Sequence, residues 1–210
     1  MSILYQYGIP TTLFLLFCAS HSLLAHKTFK VKVFEAVPEL KPFYRFLYNI
    51  VAGLLLALWL FTLPNEDILY QLEGFWMFLM ISLQVLAVLA ALKSLRGHGS
   101  VFMGIKQLRH YFKQGEQPQY LDEPKRGSLI RSGFYAYIRH PLYTFSMIIL
   151  LCSPVMTHNL VYIIICVGIY FYIGSYFEER GLTKRFGDTY RTYQKEVPRF
   201  IPNLFHIFDR

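Results

Sequence analysis

Apolar and polar positions along this chain separate into long blocks instead of alternating at the period of a soluble helix or strand. Apolar stretches at about 3–25, 46–63, 75–92, 141–156 and 160–177 approach the ~20 residues a helix needs to cross a ~30 Å hydrocarbon core. They predict an all-α membrane protein with about five transmembrane helices. The last two stretches are short. Thr157, His158 and Asn159 leave room only for a turn between them, which predicts a tight hairpin that thins the bilayer or tilts little. Between 93 and 139 the glycines Gly97, Gly99, Gly104, Gly115 and Gly127, with Pro118 and Pro124, predict an irregular loop holding one short amphipathic helix near 105–112. In the tail, Leu182, Phe186, Tyr190 and Tyr193 recur at three- and four-residue spacing and predict a further helix, ended by Pro198 and Pro202.

Charge orients this pattern. All 21 Lys and Arg residues fall within 27–45, 93–139 and 180–210, so with five spans every basic block lies on one face. Basic loops stay cytoplasmic, which predicts an outside N-terminus and a cytoplasmic C-terminus, with a bacterial inner membrane as the expected location. A single integral-membrane domain over 1–210 is expected, with three spans in 1–92. The first stretch has no basic residue before it and no small-residue cleavage pattern, and is expected to be a retained span. The composition, 54% apolar and 18% aromatic with a net charge of +8, exceeds what a soluble fold carries and fits attraction to anionic lipids. The basic residues alternate with apolar spans and no nucleic-acid module is recognisable, so membrane lipids and not nucleic acid are the expected partners. Cys18, Cys152 and Cys166 sit in apolar spans, where cysteine behaves as a small hydrophobe.

Two motifs at the edges of the last hairpin stand out. Arg139-His140-Pro141-Leu142-Tyr143 places proline in a first helical turn, where its missing N–H is no loss, and puts the preceding residues at an anion-attracting helix N-terminus. Glu178-Glu179 closes the fifth apolar stretch, where two carboxylates oppose the helix dipole unless a cation or donor compensates them. The plain readings are an interfacial Arg139 with His140 as a cap, and an acidic end partnered by Arg180 or Arg139. The hairpin brings the start of one helix beside the end of the next, so His140, Tyr143 and Glu178 are expected around one cytoplasm-facing pocket. His21, a polar group within the first span, is a functional candidate, or an interfacial histidine bonded to a backbone carbonyl. Asn49 and Gln84 are expected to bond between helices. His98, His110 and His158 show no ligand spacing, and no metal site is expected.

The ordered run 133–143, then 178–182, 186–193 and 197–202, resembles the integral-membrane methyltransferases that include isoprenylcysteine carboxyl methyltransferase and the phospholipid N-methyltransferases. The likeness is densest over 127–202. His21-Ser22, Tyr44-Arg45, the run 102–108 and the run 153–157 resemble the methanethiol S-methyltransferase branch. The resemblance implies S-adenosylmethionine as cofactor, held on the cytoplasmic side by the last hairpin, the long loop and the tail. Carried over by position, Leu129, Ile130, Tyr135, His140, Pro141, Tyr143 and Glu178 match cofactor-contacting positions, and Glu179 belongs to the same motif. A sulfonium is cationic, so carboxylate and aromatic neighbours favour it, while the cofactor's own carboxylate suits Arg139 or the helix N-terminus.

This chain departs from that pattern in two places. Gly174 stands where carboxyl-methylating members carry a substrate-contacting arginine, and Phe145 where a small glycine often follows the motif tyrosine. Both favour a small or neutral acceptor such as methanethiol over a bulky carboxylate. Catalytic roles are expected of His21, Arg139 and Glu178, with His21 or a pocket tyrosine helping to deprotonate a thiol. Two alternatives stand beside this one. The first is a lipid-borne acceptor, either a phospholipid amine or a prenylcysteine-like thiol or carboxylate. The second is an NADPH-dependent membrane reductase, for which no glycine-rich dinucleotide fingerprint is present.

Overall fold

A computed structural model describes residues 6–64, 67–95, 99–115 and 129–202. The first residues of the first span, Glu66, Gly97, His98, Pro118, Pro124 and Gly127 lie outside the described residues. In chain order the elements are α1 (Gly8–Ala25), α2 (Lys27–Ala36), α3 (Tyr44–Phe61), β1 (Ile68–Gln71), α4 (Gly74–Ser94), α5 (Gly99–Phe102), α6 (Ile105–Gln114), α7 (Pro141–Leu151), β2 (Val155–Thr157), α8 (His158–Phe186) and α9 (Asp188–Glu196). Short 3-10 turns stand at Pro38–Leu40 and Gly133–Ala136. The protein is an α-helical, multi-pass membrane protein. Helices α1, α3, α4 and α8 are long and apolar enough to cross a bilayer. The fourth apolar stretch forms the 11-residue α7, roughly 16 Å long at 1.5 Å per residue, about half a hydrocarbon core.

Contacts gather the chain into two compact units, one from 1–65 and 97–127, the other from 66–96 and 128–210. In the first, α1 packs on α3. Trp59 is 2% exposed, with its ring 4.7 Å from that of Phe14, and the Tyr44 hydroxyl donates to the Leu24 carbonyl at 2.8 Å. The short helix expected near 105–112 is α6. Its start is locked to α3, because Arg45 donates to the Val101 carbonyl at 3.2 Å and Gly104 lies against the backbone of Phe46.

In the second unit α4 packs along α7, and the Gln84 amide donates to the Ile149 carbonyl at 2.8 Å, the interhelical role its sequence position predicts. The hairpin differs from the expected plain turn. Pro154 cannot continue a helix, and Val155–Thr157 instead extends and pairs antiparallel with Ile68–Gln71, with Ile68 opposite Thr157 and Gln71 opposite Val155. This pairing satisfies backbone groups that a bare turn would leave open. Thr157 also caps α8, its hydroxyl accepting from the Leu160 N–H at 3.1 Å.

α8 does not end with the apolar stretch at 177 but runs on to Phe186. Gly187, at φ 57° and ψ −129°, breaks it in a conformation open to little besides glycine, and α9 folds back on α8. The tail stripe is realised in three dimensions. Tyr190, Tyr193 and Val197 are buried together, with Leu129, Leu182 and Phe186 packed on them.

Candidate active site

Residues 139–144 and 197–200 lie side by side at the start of α7. The Arg139 N–H donates to the Pro198 carbonyl at 2.9 Å and the His140 N–H to the Arg199 carbonyl at 3.1 Å. The Thr144 hydroxyl donates to the Phe200 carbonyl at 2.9 Å. Pro141 is fully buried at the first turn, the position its missing N–H suits. The tail thus straps the motif in place, and the Tyr193 hydroxyl adds a bond to the Tyr135 carbonyl at 2.6 Å.

Behind this junction sits Glu179, its side chain 3% exposed. One carboxylate oxygen accepts from Arg139 Nε at 2.9 Å and His140 Nε2 at 3.0 Å. The other accepts from Gln194 Nε2 at 2.9 Å, Arg199 Nη2 at 3.0 Å and Arg139 Nη2 at 3.4 Å. Arg139 Nη1 donates to the Gln194 carbonyl at 2.7 Å. A buried carboxylate persists only when paired and hydrogen-bonded, and this one joins α7, α8, α9 and the tail. Arg139 is therefore engaged on all three guanidinium nitrogens by protein groups.

Glu178, one residue earlier, points elsewhere. Its side chain is 51% exposed. The Tyr143 hydroxyl donates to it at 3.2 Å, and His140 Nδ1 lies 3.6 Å away. His140 therefore stands between the two glutamates, its ring stacked on Tyr143 at 5.2 Å. Tyr143 stacks in turn on Phe171 at 4.4 Å, nearly parallel. Burial pushes the Tyr135 hydroxyl above its ordinary range, and the Glu178 charge adds to that rise. His140, Tyr143 and Glu178 are brought together as the sequence predicts.

The other sequence candidates fall as follows. Leu129 is part of the Tyr190 cluster, and Ile130 is exposed. His21 belongs to the first unit, where it is hydrogen-bonded through Nε2 to the Tyr48 hydroxyl, with the Phe17 ring 5.4 Å away. Phe145 packs edge-to-face on Phe134 at 4.8 Å. At Gly174 an added Cβ would meet nothing within 4 Å, so the position lacks a cation but not the space for one. Sequence reasoning missed Gln194 and Arg199 as partners of Glu179. Arg199 had a signal, since it lies in the run 197–202 that carries the resemblance. Gln194, on a polar helix, had none.

Charged and aromatic groups at the polar end of apolar helices, strapped by a C-terminal tail, define a membrane-boundary site in a multi-pass helical protein. Residues 72–189, more than half of the chain, match the family model described as phospholipid methyltransferase. The chain belongs to that family, and it is a membrane methyltransferase. It is similar to methanethiol S-methyltransferases from Pseudomonas deceptionensis, 29% identical over 203 residues, covering 93% of this chain and 72% of the relative. That of Pseudomonas sp. (strain GM41(2012)) is 30% identical over 201 residues, covering 92% and 72%. That of Crocosphaera subtropica is 27% identical over 202 residues, covering 89% and 71%. No solved structure matches the chain.

Proposed function

We propose that this protein transfers a methyl group from S-adenosylmethionine to a small thiol of the methanethiol kind. The observation that carries the reading is the half-exposed Glu178 carboxylate, with the Tyr143 hydroxyl bonded to it and the His140 ring beside it. A carboxylate with aromatic neighbours favours a sulfonium cation, so these residues fit the donor. Bound there, S-adenosylmethionine supplies an electrophilic methyl group on a positively charged sulfur. Glu178, Tyr143 and Tyr135 would hold its cationic end, Leu129 and Ile130 would supply apolar lining, and the buried Pro141 would set the turn that presents His140 and Tyr143. Of the two partners expected for the donor's carboxylate, we keep the N-terminal turn of α7. Arg139 and Glu179 act from behind, holding His140 and the tail in register.

In-line placement of donor and acceptor is worth up to ~7–11 kcal/mol, and it is the main contribution asked of the protein. The acceptor sulfur would take the methyl carbon with its electron pair as the carbon–sulfonium bond breaks, leaving S-adenosylhomocysteine, and the acceptor's own proton would go to a base. Gly174 supports a neutral acceptor, because no cation stands there to pair a carboxylate. The activity for which the relatives are named supports the thiol. The family model's description favours a second reading, a lipid-borne acceptor such as a phospholipid amine. The basic blocks support a cytoplasmic C-terminus, and the bacterial sources of the relatives favour a bacterial inner membrane.

Two measurements test this. Calorimetric titration of the purified protein with S-adenosylhomocysteine should show binding, and titration with NADPH none; the reverse would replace the methyltransferase reading of the site with the reductase. Cells expressing the protein and fed methanethiol should release extra dimethyl sulfide into the headspace. No increase, with expression and S-adenosylhomocysteine binding confirmed, would favour the lipid acceptor.

A further inference from the structure

α8 carries a second feature that methyl transfer does not use. Ile165, Ile169, Tyr172, Ile173 and Tyr176 are each about half exposed or more. Their spacing of four, seven, eight and eleven residues places them on one face of the helix. That face continues past the apolar stretch into Arg180, Thr183 and Lys184. There it opens into a cleft of about 290 Å³ whose lining includes Tyr176, Glu179, Arg180, Thr183, Lys184 and Arg199. At about 100° per residue, Arg180 lies some 200° around the helix from Glu178, so the cleft is on a different side of α8 from the proposed donor site.

The charges lining the cleft do not balance. Glu179 is matched by Arg139 and Arg199. Arg180 lies over the Tyr176 ring at 5.5 Å and Arg199 over the Tyr172 ring at 5.9 Å. These cation–π contacts orient the guanidinium groups and leave their charge in place. Among the described residues, neither Arg180 nor Lys184 forms an ion pair or a side-chain hydrogen bond. Two uncompensated cations, a third shared one and the Thr183 hydroxyl therefore ring a space at the polar end of a ridge of exposed apolar side chains.

We propose that this cleft is a binding site for an anionic phospholipid. Its phosphate pairs with Arg180, Lys184 and Arg199, and one acyl chain lies along the Ile165–Tyr176 ridge. The complementarity is twofold. Arginine and lysine are the side chains that bind phosphate oxygens, and each basic residue at a membrane surface adds attraction for anionic lipid. The apolar ridge selects a lipid over a free phosphate, because only a lipid covers both parts of the surface.

Native mass spectrometry of the full-length protein, released from detergent supplemented with phosphatidylglycerol or phosphatidylcholine, tests the site. Wild type should retain phosphatidylglycerol preferentially, and Arg180→Ala/Lys184→Ala should lower that retention about tenfold. Arg180→Lys, which keeps the charge, should retain the lipid. Lys106→Ala/Arg109→Ala removes the same charge from exposed positions on α6 and should also retain it. Equal retention of phosphatidylcholine by wild type, or unchanged phosphatidylglycerol retention in the double variant, would overturn the proposal. So would an equal loss in the α6 variant, which would mean that net charge alone governs binding. Inorganic phosphate at millimolar concentration should not displace the lipid; displacement by phosphate alone would make this a phosphate site and not a lipid site. A thermal midpoint of the double variant close to that of wild type, measured on the same samples, separates loss of the site from loss of the fold.

Discussion

Glu178 and Glu179 are adjacent and chemically identical, and the fold gives them opposite work. Glu179 is enclosed by Arg139, His140, Gln194 and Arg199, whereas Glu178 keeps half its side chain in the open. Removing one partner from a buried charge cluster strands the others, at a cost of about 3–5 kcal/mol. Glu179→Ala should therefore lower the thermal unfolding midpoint strongly. Glu178→Ala should leave that midpoint near wild type and weaken S-adenosylhomocysteine binding in titration. Wild-type affinity in Glu178→Ala would remove that residue from the donor site. Tyr193 makes a prediction about pH. Burial pushes its hydroxyl from an ordinary value near 10 up to about 12, against the opposing pull of Arg139. The folded chain thus holds this proton more tightly than the unfolded one. The stability it adds is complete below pH 10 and is lost as pH rises through about 12. Denaturant midpoints measured between pH 9 and 12 should fall less steeply in Tyr193→Phe than in wild type.

Among the elements, the long apolar helices were legible because burial in lipid demands nothing finer than about 20 apolar residues in a row. α6 was legible from its amphipathic pattern, and the stripe from Leu182 to Tyr193 from its spacing. Two features were not. The β1–β2 pairing depends on two segments about 85 residues apart, and neither carries the alternation of a long strand. The unbroken run of α8 through the glutamates to Phe186 was hidden because a change from apolar to charged looks like an end, although the backbone needs no break there. Gly104 supplies an element-level test. With φ at +79°, an added Cβ would come 2.6 Å from the Phe46 backbone nitrogen. Both the backbone conformation and the close approach to α3 require glycine. Gly104→Ala should cost at least about 1 kcal/mol, read as a lower thermal midpoint of the purified protein. An unchanged midpoint would mean that the α3–α6 contact is not needed for stability.

For the molecule as a whole, the three basic blocks fix the expected orientation. A green fluorescent protein fused after Arg210 should fluoresce in bacterial cells, while a cysteine placed at Asp67 should react with a membrane-impermeant maleimide from outside. The opposite pattern would invert the topology. The sequence by itself determined the lipid-exposed character of the chain, its α-helical class and the motif residues His140, Tyr143 and Glu178. Those properties follow from composition, from periodicity and from residue types that the chemistry requires at fixed spacing. Only the tertiary structure decided which glutamate is buried, where the Arg139 nitrogens go, and that Gln194 and Arg199 complete the cluster around Glu179. It also decided that uncompensated cations gather at the end of α8. These depend on which side chains from distant segments meet in space, and burial together with pairing, which exist only in the folded chain, sets the cost of each charge.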